Sequence, residues 1–234
     1  MLTVAGDRDL VERQLAGGLL ACPECGTGVL GGHGWVPSRW LRRADGRVVL
    51  LKAHATDQEK ASGAVADGLR RARCKVCGVT HVLAPPQVLF RRLDETSVIG
   101  EVLATRAGGA GYRAIAGLLG RAAAGTVGLA AELGVIRRCV TRFTVNAGRL
   151  RAAFTALVHQ VDASPPVMTS GRAAVAEAVA AIGEAAAAVR RLLGTRMAAV
   201  SPWEVAAAVS HGRLLAVSPP ARLFSTSGHL EPAM

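Results

Sequence analysis

Cys22-Pro-Glu-Cys25-Gly26 and Cys74-Lys-Val-Cys77-Gly78 are the two stretches that decide how the first half of this sequence folds. In each, two cysteines stand three residues apart, so both thiolates can bind one metal ion from a tight turn. The following glycine lets the backbone fold beneath the sulfur atoms. Two such turns predict a closed tetrahedral zinc site, in which the metal is structural rather than catalytic. The predicted ligands are Cys22, Cys25, Cys74 and Cys77.

The spacer between the two cysteine pairs is longer than that of an ordinary zinc ribbon. Residues 55–68 (ATDQEKASGAVADG) are polar, small and glycine-containing, and they predict an inserted loop. β-Branched residues in 35–51 and 79–84 predict the strands of the ribbon. The predicted ribbon therefore spans residues 21–92 and follows an N-terminal arm of residues 1–20.

Composition restricts the class of protein. The chain has 234 residues, of which 50% are hydrophobic and only 3% aromatic, and its net charge is +11. No uncharged apolar run reaches the ~18 residues of a membrane helix, and the charged N-terminal segment lacks the apolar centre of a signal peptide. We therefore expect a cytoplasmic protein without a membrane partner. Disulfide bonds, the alternative for the paired cysteines, are disfavoured in that compartment.

Positive charge is concentrated in residues 1–160, whereas residues 161–234 are nearly neutral. Arginines cluster without intervening acids beside the second cysteine pair and again between residues 137 and 151. This distribution favours a polyanion partner such as DNA, with RNA as an alternative, although an exposed face rich in arginine could also produce it. The candidate nucleic-acid contacts are Arg70, Arg71, Arg73, Arg137, Arg138, Thr141 and Arg142.

Residues 94–161 have helical periodicity and contain two overlapping helix-turn-helix patterns. In the first, Ile115–Gly120 (IAGLLG) ends the second helix, and residues 122–134 form a recognition helix without Lys or Arg. In the second, the turn lies at Gly134, and the following helix exposes the candidate contacts between Arg137 and Arg142. A major-groove reader needs hydrogen-bond donors near its helix N-terminus, so we prefer the second register. An ordinary helical bundle is the alternative.

The C-terminal part is predicted to comprise a linker (162–170), helices (171–217) and a loose tail (218–234). An apolar stripe on a helix over 171–193 fits local core packing, or alternatively a homodimer interface. Ser201–Glu204 (SPWE) predicts a capping box. The expected fold class is thus mainly α with a small β zinc ribbon. It consists of an N-terminal four-cysteine ribbon, a helix-turn-helix-like helical middle and a C-terminal helical segment.

The order of these motifs resembles a family of small zinc-ribbon plus helix-turn-helix proteins of high-GC bacterial genomes, often described as transposase-like. Arg71–Leu83 (RARCKVCGVTHVL) is the most specific part, and GAGYRAIAGLLG and SPWEVAAAV add to it. The resemblance implies a zinc ribbon joined to a DNA-binding helical domain without a defined biochemical activity. It also maps the four paired cysteines onto the ribbon ligands.

Catalysis by this chain is not expected. An acidic-triad transposase needs three carboxylates that hold two metal ions on a mixed sheet, and the acids after residue 161 fall in a linker, helices and a tail. No P-loop, GxSxG or HExxH motif is present. We therefore predict a DNA-binding, zinc-stabilised, non-catalytic protein. The alternatives are a DNA-recognition subunit of a transposition or recombination system with a separate catalytic chain, and a zinc-stabilised protein-interaction module.

Overall fold

The computed structural model describes residues 2–4, 7–89, 92–122, 129–162, 173–194 and 200–215. Its strands are β1 (Leu2–Thr3), β2 (Leu30–Trp35), β3 (Arg39–Arg42), β4 (Val48–Lys52), β5 (Val65–Asp67), β6 (Arg70–Cys74) and β7 (Thr80–Ala84). Its helices are α1 (Arg8–Ala16), α2 (Asp57–Ala61), α3 (Thr96–Ala107), α4 (Tyr112–Ala122), α5 (Leu129–Val161), α6 (Ala174–Leu193) and α7 (Pro202–Val209). The predicted linker after residue 162 and the predicted tail 218–234 lie outside the described residues.

The N-terminal part is built on a four-stranded sheet with the strand order β1-β7-β6-β2. Strand β6 pairs antiparallel with β2 and β7, and β1 runs parallel to β7. Helix α1 covers one face of this sheet, because Val11 and Leu15 pack against Leu30 and Leu83. The prediction of an N-terminal arm over residues 1–20 is therefore wrong. The apolar side of α1 removes its surface from water by docking on the sheet.

A second sheet, with the strand order β3-β4-β5, accounts for the long spacer between the cysteine pairs. Its inner side chains, including Leu41 and Val49, pack against Leu69 and Val88. The predicted loop 55–68 is wrong in its local structure, since it contains α2 and β5. A Thr56–Glu59 capping box begins α2, and β5 adds to the free edge of β4 in parallel register. The predicted ribbon segment 35–51 likewise contributes β3 and most of β4 to this second sheet.

Helices α3 to α7 share one hydrophobic core, which includes Phe143, Leu150 and Phe154 of α5. The buried alanines of α6, such as Ala181 and Ala185, lie in this core and allow close approach to α5. Of the apolar stripe predicted over 171–193, Val175, Val179 and Ile182 pack in this core, whereas Leu193 is 39% exposed. Among the described residues, no helix is both long and apolar enough to cross a membrane.

The preferred helix-turn-helix register is wrong, because the chain makes no turn at Gly134. Residues Leu129–Val161 form one continuous helix. Ile136 and Val140 belong to the core, with Leu133 packed beside them, so the apolar stripe runs through the glycine. A glycine inside a helix costs only about 1 kcal/mol, which this packing outweighs. In the first register Gly120 is predicted to end the second helix, but α4 continues through this glycine to Ala122. Residues 123–128 of the predicted recognition helix 122–134 lie outside the described residues.

The sheets and the helices are in direct contact. The Thr3 hydroxyl donates to the Ala207 carbonyl at 3.2 Å, which joins β1 to α7. An ion pair with an N···O distance of 2.5 Å links Arg42 of β3 to Asp94, just before α3. The mainly α expectation with a small β component agrees with this architecture.

Candidate metal centre

Four cysteine side chains meet at one end of the four-stranded sheet, and their Sγ atoms all lie within 4.8 Å of one another. The Sγ atoms of Cys22 and Cys77 are 3.7 Å apart, and those of Cys25 and Cys74 are 3.8 Å apart. A disulfide bond would need about 2.05 Å. Four sulfurs at about 2.3 Å from a central ion would stand about 3.8 Å from each other. The predicted convergence of the four cysteines is confirmed, and the site is compatible with a bound metal ion.

Each cysteine pair lies on a turn of the same kind. Gly26 and Gly78 both have φ 71°, a left-handed conformation in which glycine avoids the clash of a Cβ atom. The Gly26 amide donates to the Cys22 carbonyl at 2.9 Å, and the Gly78 amide donates to the Cys74 carbonyl at 3.1 Å. The CxxCG spacing therefore folds locally into a turn that presents both sulfurs on one side.

Backbone amides also point at the sulfur atoms. The Gly28 amide lies 3.4 Å from Cys25 Sγ. The amides of Val76 and Cys77 lie 3.3 Å and 3.4 Å from Cys74 Sγ. Hydrogen bonds of this kind stabilise a thiolate relative to a thiol. Both turns are thus prepared to hold negatively charged sulfur, which is the form that binds metal ions.

The four thiols differ in proton affinity because each meets a different set of neighbours. Backbone hydrogen bonds from Thr27 and Gly28 lower the pKa of Cys25 to about 6. A backbone hydrogen bond from Val79 favours the Cys77 thiolate, but burial and the sulfurs of the other three cysteines together raise the pKa of Cys77 to about 12. Four thiolates this close repel one another, so a cation is what would let all four stay deprotonated.

His81 is a neighbour of the cluster that the sequence alone did not assign. It is 2% exposed in β7, and its Nε2 atom lies 3.4 Å from Cys22 Sγ. Burial lowers the pKa of His81, which favours the neutral ring. Strand alternation could have indicated this position. His81 pairs with Ala72 of β6, and Ala72 lies two residues before Cys74, so all three side chains lie on the same face of the sheet.

Gly28 packs directly against the cluster. A Cβ atom at this position would lie 2.4 Å from Cys74 Sγ and 3.0 Å from the Cβ atom of Val76. Only glycine fits between the two turns without displacing a sulfur atom. The CxxCG pattern gives no indication of this requirement, because Gly28 lies beyond the turn.

The predicted contacts on the ribbon do not share one surface. Arg71 and Arg73 project from one side of β6, whereas Arg70 projects from the other, as strand alternation requires. Arg70 Nε lies 2.7 Å from the carboxylate of Glu12, and its guanidinium stands 5.0 Å from the ring centre of Trp35. Arg70 therefore does not share a surface with Arg71 and Arg73. Contact of these residues with nucleic acid stays a prediction.

The predicted contacts on α5 do share one side of the helix. The exposed ones are Arg137, Arg138 and Thr141, whereas Arg142 is half-buried. The guanidinium of Arg137 stands 5.7 Å from the ring centre of Tyr112 on α4. Because α5 begins at Leu129, these side chains lie in its middle turns rather than at a recognition-helix N-terminus.

Comparisons with protein-family models, with curated proteins and with solved structures find no match for this chain. The resemblance to transposase-like zinc-ribbon proteins therefore rests on the quoted motifs alone and stays a prediction. The four-sulfur cluster and the basic side of α5 are the features from which a function can be argued.

Proposed function

We propose that this protein is a non-catalytic, transposase-like DNA-binding protein whose sheet domain is stabilised by one zinc ion. The observation that carries the proposal is the exposed basic side of α5. It occurs in a chain whose four cysteines can stabilise the sheet domain by binding one metal ion. The predicted zinc ligands remain Cys22, Cys25, Cys74 and Cys77.

Zinc is the ion that this ligand set favours. An all-sulfur, tetrahedrally spaced site suits Zn²⁺, and four protein ligands leave no position for a substrate or a reactive water. The metal would contribute folding free energy, since both turns are held together through it. Cys22 and Cys74 also belong to the small core under α1, so metal binding and packing of this core support each other.

The positions of the arginines on the exposed side of α5 favour contacts with phosphates over contacts with base edges. From Arg137 to Arg149 the exposed arginines extend over about 18 Å of helix, at about 1.5 Å per residue. A recognition helix inserts its first turn into the major groove, whereas these side chains lie two turns or more from the start of α5. Binding through the sugar-phosphate backbone, with little sequence preference, is the mode that fits. Duplex RNA offers the same chemistry and is the comparison to make.

Anisotropy titration of a labelled random-sequence DNA duplex across a series of salt concentrations tests this proposal. We expect log affinity to fall linearly with log salt concentration, by about 0.9 for each phosphate contact. Arg137→Gln and Arg142→Gln should each reduce that slope, whereas Arg13→Gln, an exposed change on α1, should not. Absence of binding at low salt, or affinity independent of salt, would refute the proposal. A matched RNA duplex shows which nucleic acid is preferred.

A further inference from the structure

His81 brings a ring nitrogen to the buried end of the four-sulfur cluster. Its Nε2 atom lies 3.4 Å from Cys22 Sγ, and the side chains of His81 and Cys22 are 2% and 1% exposed. On the neighbouring strand β6, the residue paired with His81 is Ala72, which is itself fully buried. The contact is therefore set by the pairing of β6 with β7 and is closed to solvent.

The sulfur of Cys22 lies in apolar surroundings. Cys22 belongs to the small core that also contains Val11, Leu15 and Leu30. A negative charge in such surroundings is costly unless it accepts hydrogen bonds. A donor from a side chain on β7 would lower that cost for the Cys22 thiolate, which is the form that binds a metal ion.

The surroundings of the ring also decide where its proton lies. A neutral imidazole carries one proton, which either nitrogen can hold. The Nδ1 atom of His81 is buried and has no hydrogen-bond partner in the part of the chain that the structure describes. A proton on Nδ1 would thus be a buried donor without an acceptor, and the lone pair of Nε2 would face the negative sulfur. A proton on Nε2 avoids both costs, since it lies between the ring and Cys22.

We propose that His81 donates a hydrogen bond from Nε2 to the Cys22 thiolate and so positions this ligand for zinc. The inference rests on the metal site of the proposed function. A hydrogen bond to a charged acceptor is stronger than one between neutral groups, and it fixes the direction of the acceptor. His81 acts through Cys22 and is not itself a ligand, because the four sulfurs already complete a tetrahedral site.

Nitrogen NMR of the full-length, zinc-loaded protein tests the proposal without changing a residue. We expect the ¹⁵N shifts of His81 to show a proton on Nε2 and a bare Nδ1. With ¹¹³Cd²⁺ in place of zinc, the Hε2 proton of His81 should show scalar coupling to the metal through the sulfur of Cys22. A proton on Nδ1, or the absence of this coupling, would overturn the proposal.

Two variants separate the hydrogen bond from simple packing. His81→Leu removes the donor and should weaken zinc binding about 10- to 100-fold in competition with a chelator, as loss of an outer partner of a metal ligand usually does. His81→Gln keeps an N–H donor close to the position of Nε2 and should recover most of that loss. The control Thr80→Ala, an exposed change on β7, should bind zinc like the wild type.

The outcomes distinguish this proposal from the metal site on which it rests. A wild-type protein that binds no zinc refutes both. A zinc-loaded wild type with equal losses in His81→Leu and His81→Gln, or with no loss in His81→Leu, overturns the hydrogen bond alone. If His81→Leu fails to fold, which circular dichroism would show, the NMR measurement on the wild type still decides.

Discussion

Replacement of Gly28 by alanine tests the metal centre without removing a ligand. The added Cβ atom would lie 2.4 Å from Cys74 Sγ, whereas non-bonded heavy atoms settle near 3.5–4.0 Å. The sulfur or the turn must therefore move by about 1 Å, which is nearly half of a zinc–sulfur bond of about 2.3 Å. We expect Gly28→Ala to weaken zinc binding about 10- to 100-fold, the usual effect of disturbing the support of a ligand. In free energy this is about 1.4–2.8 kcal/mol.

Gly31→Ala is the matched control on β2. A Cβ atom there would meet the flexible end of Lys75 at 3.3 Å and no sulfur atom, so zinc affinity should stay close to that of the wild type. Competition with a chromogenic chelator gives the affinities, and the sulfur-to-cobalt charge-transfer band of the Co²⁺-substituted protein reports on ligand geometry. Equal zinc affinity and an unchanged cobalt spectrum in Gly28→Ala would refute the reasoning, because the space between the turns would then not be limiting.

Three other experiments address the ligands, their protons and the helical core. Elemental analysis of Cys77→Ser should give well below one zinc ion per chain. The control Cys139→Ser, in the helical core, should leave the zinc content unchanged. Equal loss of zinc in both variants would contradict the assigned ligands. Because the pKa of Cys77 is raised to about 12, metal binding must release its proton, so zinc affinity should rise about tenfold per pH unit for each proton released; a titration showing no rise with pH would exclude this proton release. Gly100→Ala should destabilise the helical part by about 1–3 kcal/mol in urea unfolding, because a Cβ atom would lie 2.1 Å from the ring of Trp203, whereas Gly117→Ala, with open space around it, should not destabilise it.

The accurate predictions concern features that depend on neighbours in the sequence. The CxxCG turns follow from the spacing of Cys22 and Cys25 and from the glycine conformation that comes next. The capping box at Ser201 is confirmed for the same reason, since its hydrogen bonds with Glu204 close within one helical turn. The prediction of a turn at Gly134 was wrong, because the low preference of glycine for a helix is outweighed by the packing of the flanking apolar residues against the core.

The sequence by itself determined which residues could form a four-sulfur site, how each half of that site folds, and that the chain is strongly basic. Only the tertiary structure decided which groups from distant segments meet, such as His81 beside Cys22 and Gly28 beside Cys74. Turns and caps are fixed by hydrogen bonds across a few residues. The surroundings of the cysteines instead depend on how strands and turns from distant segments pack, and composition or periodicity does not encode that packing in any short stretch.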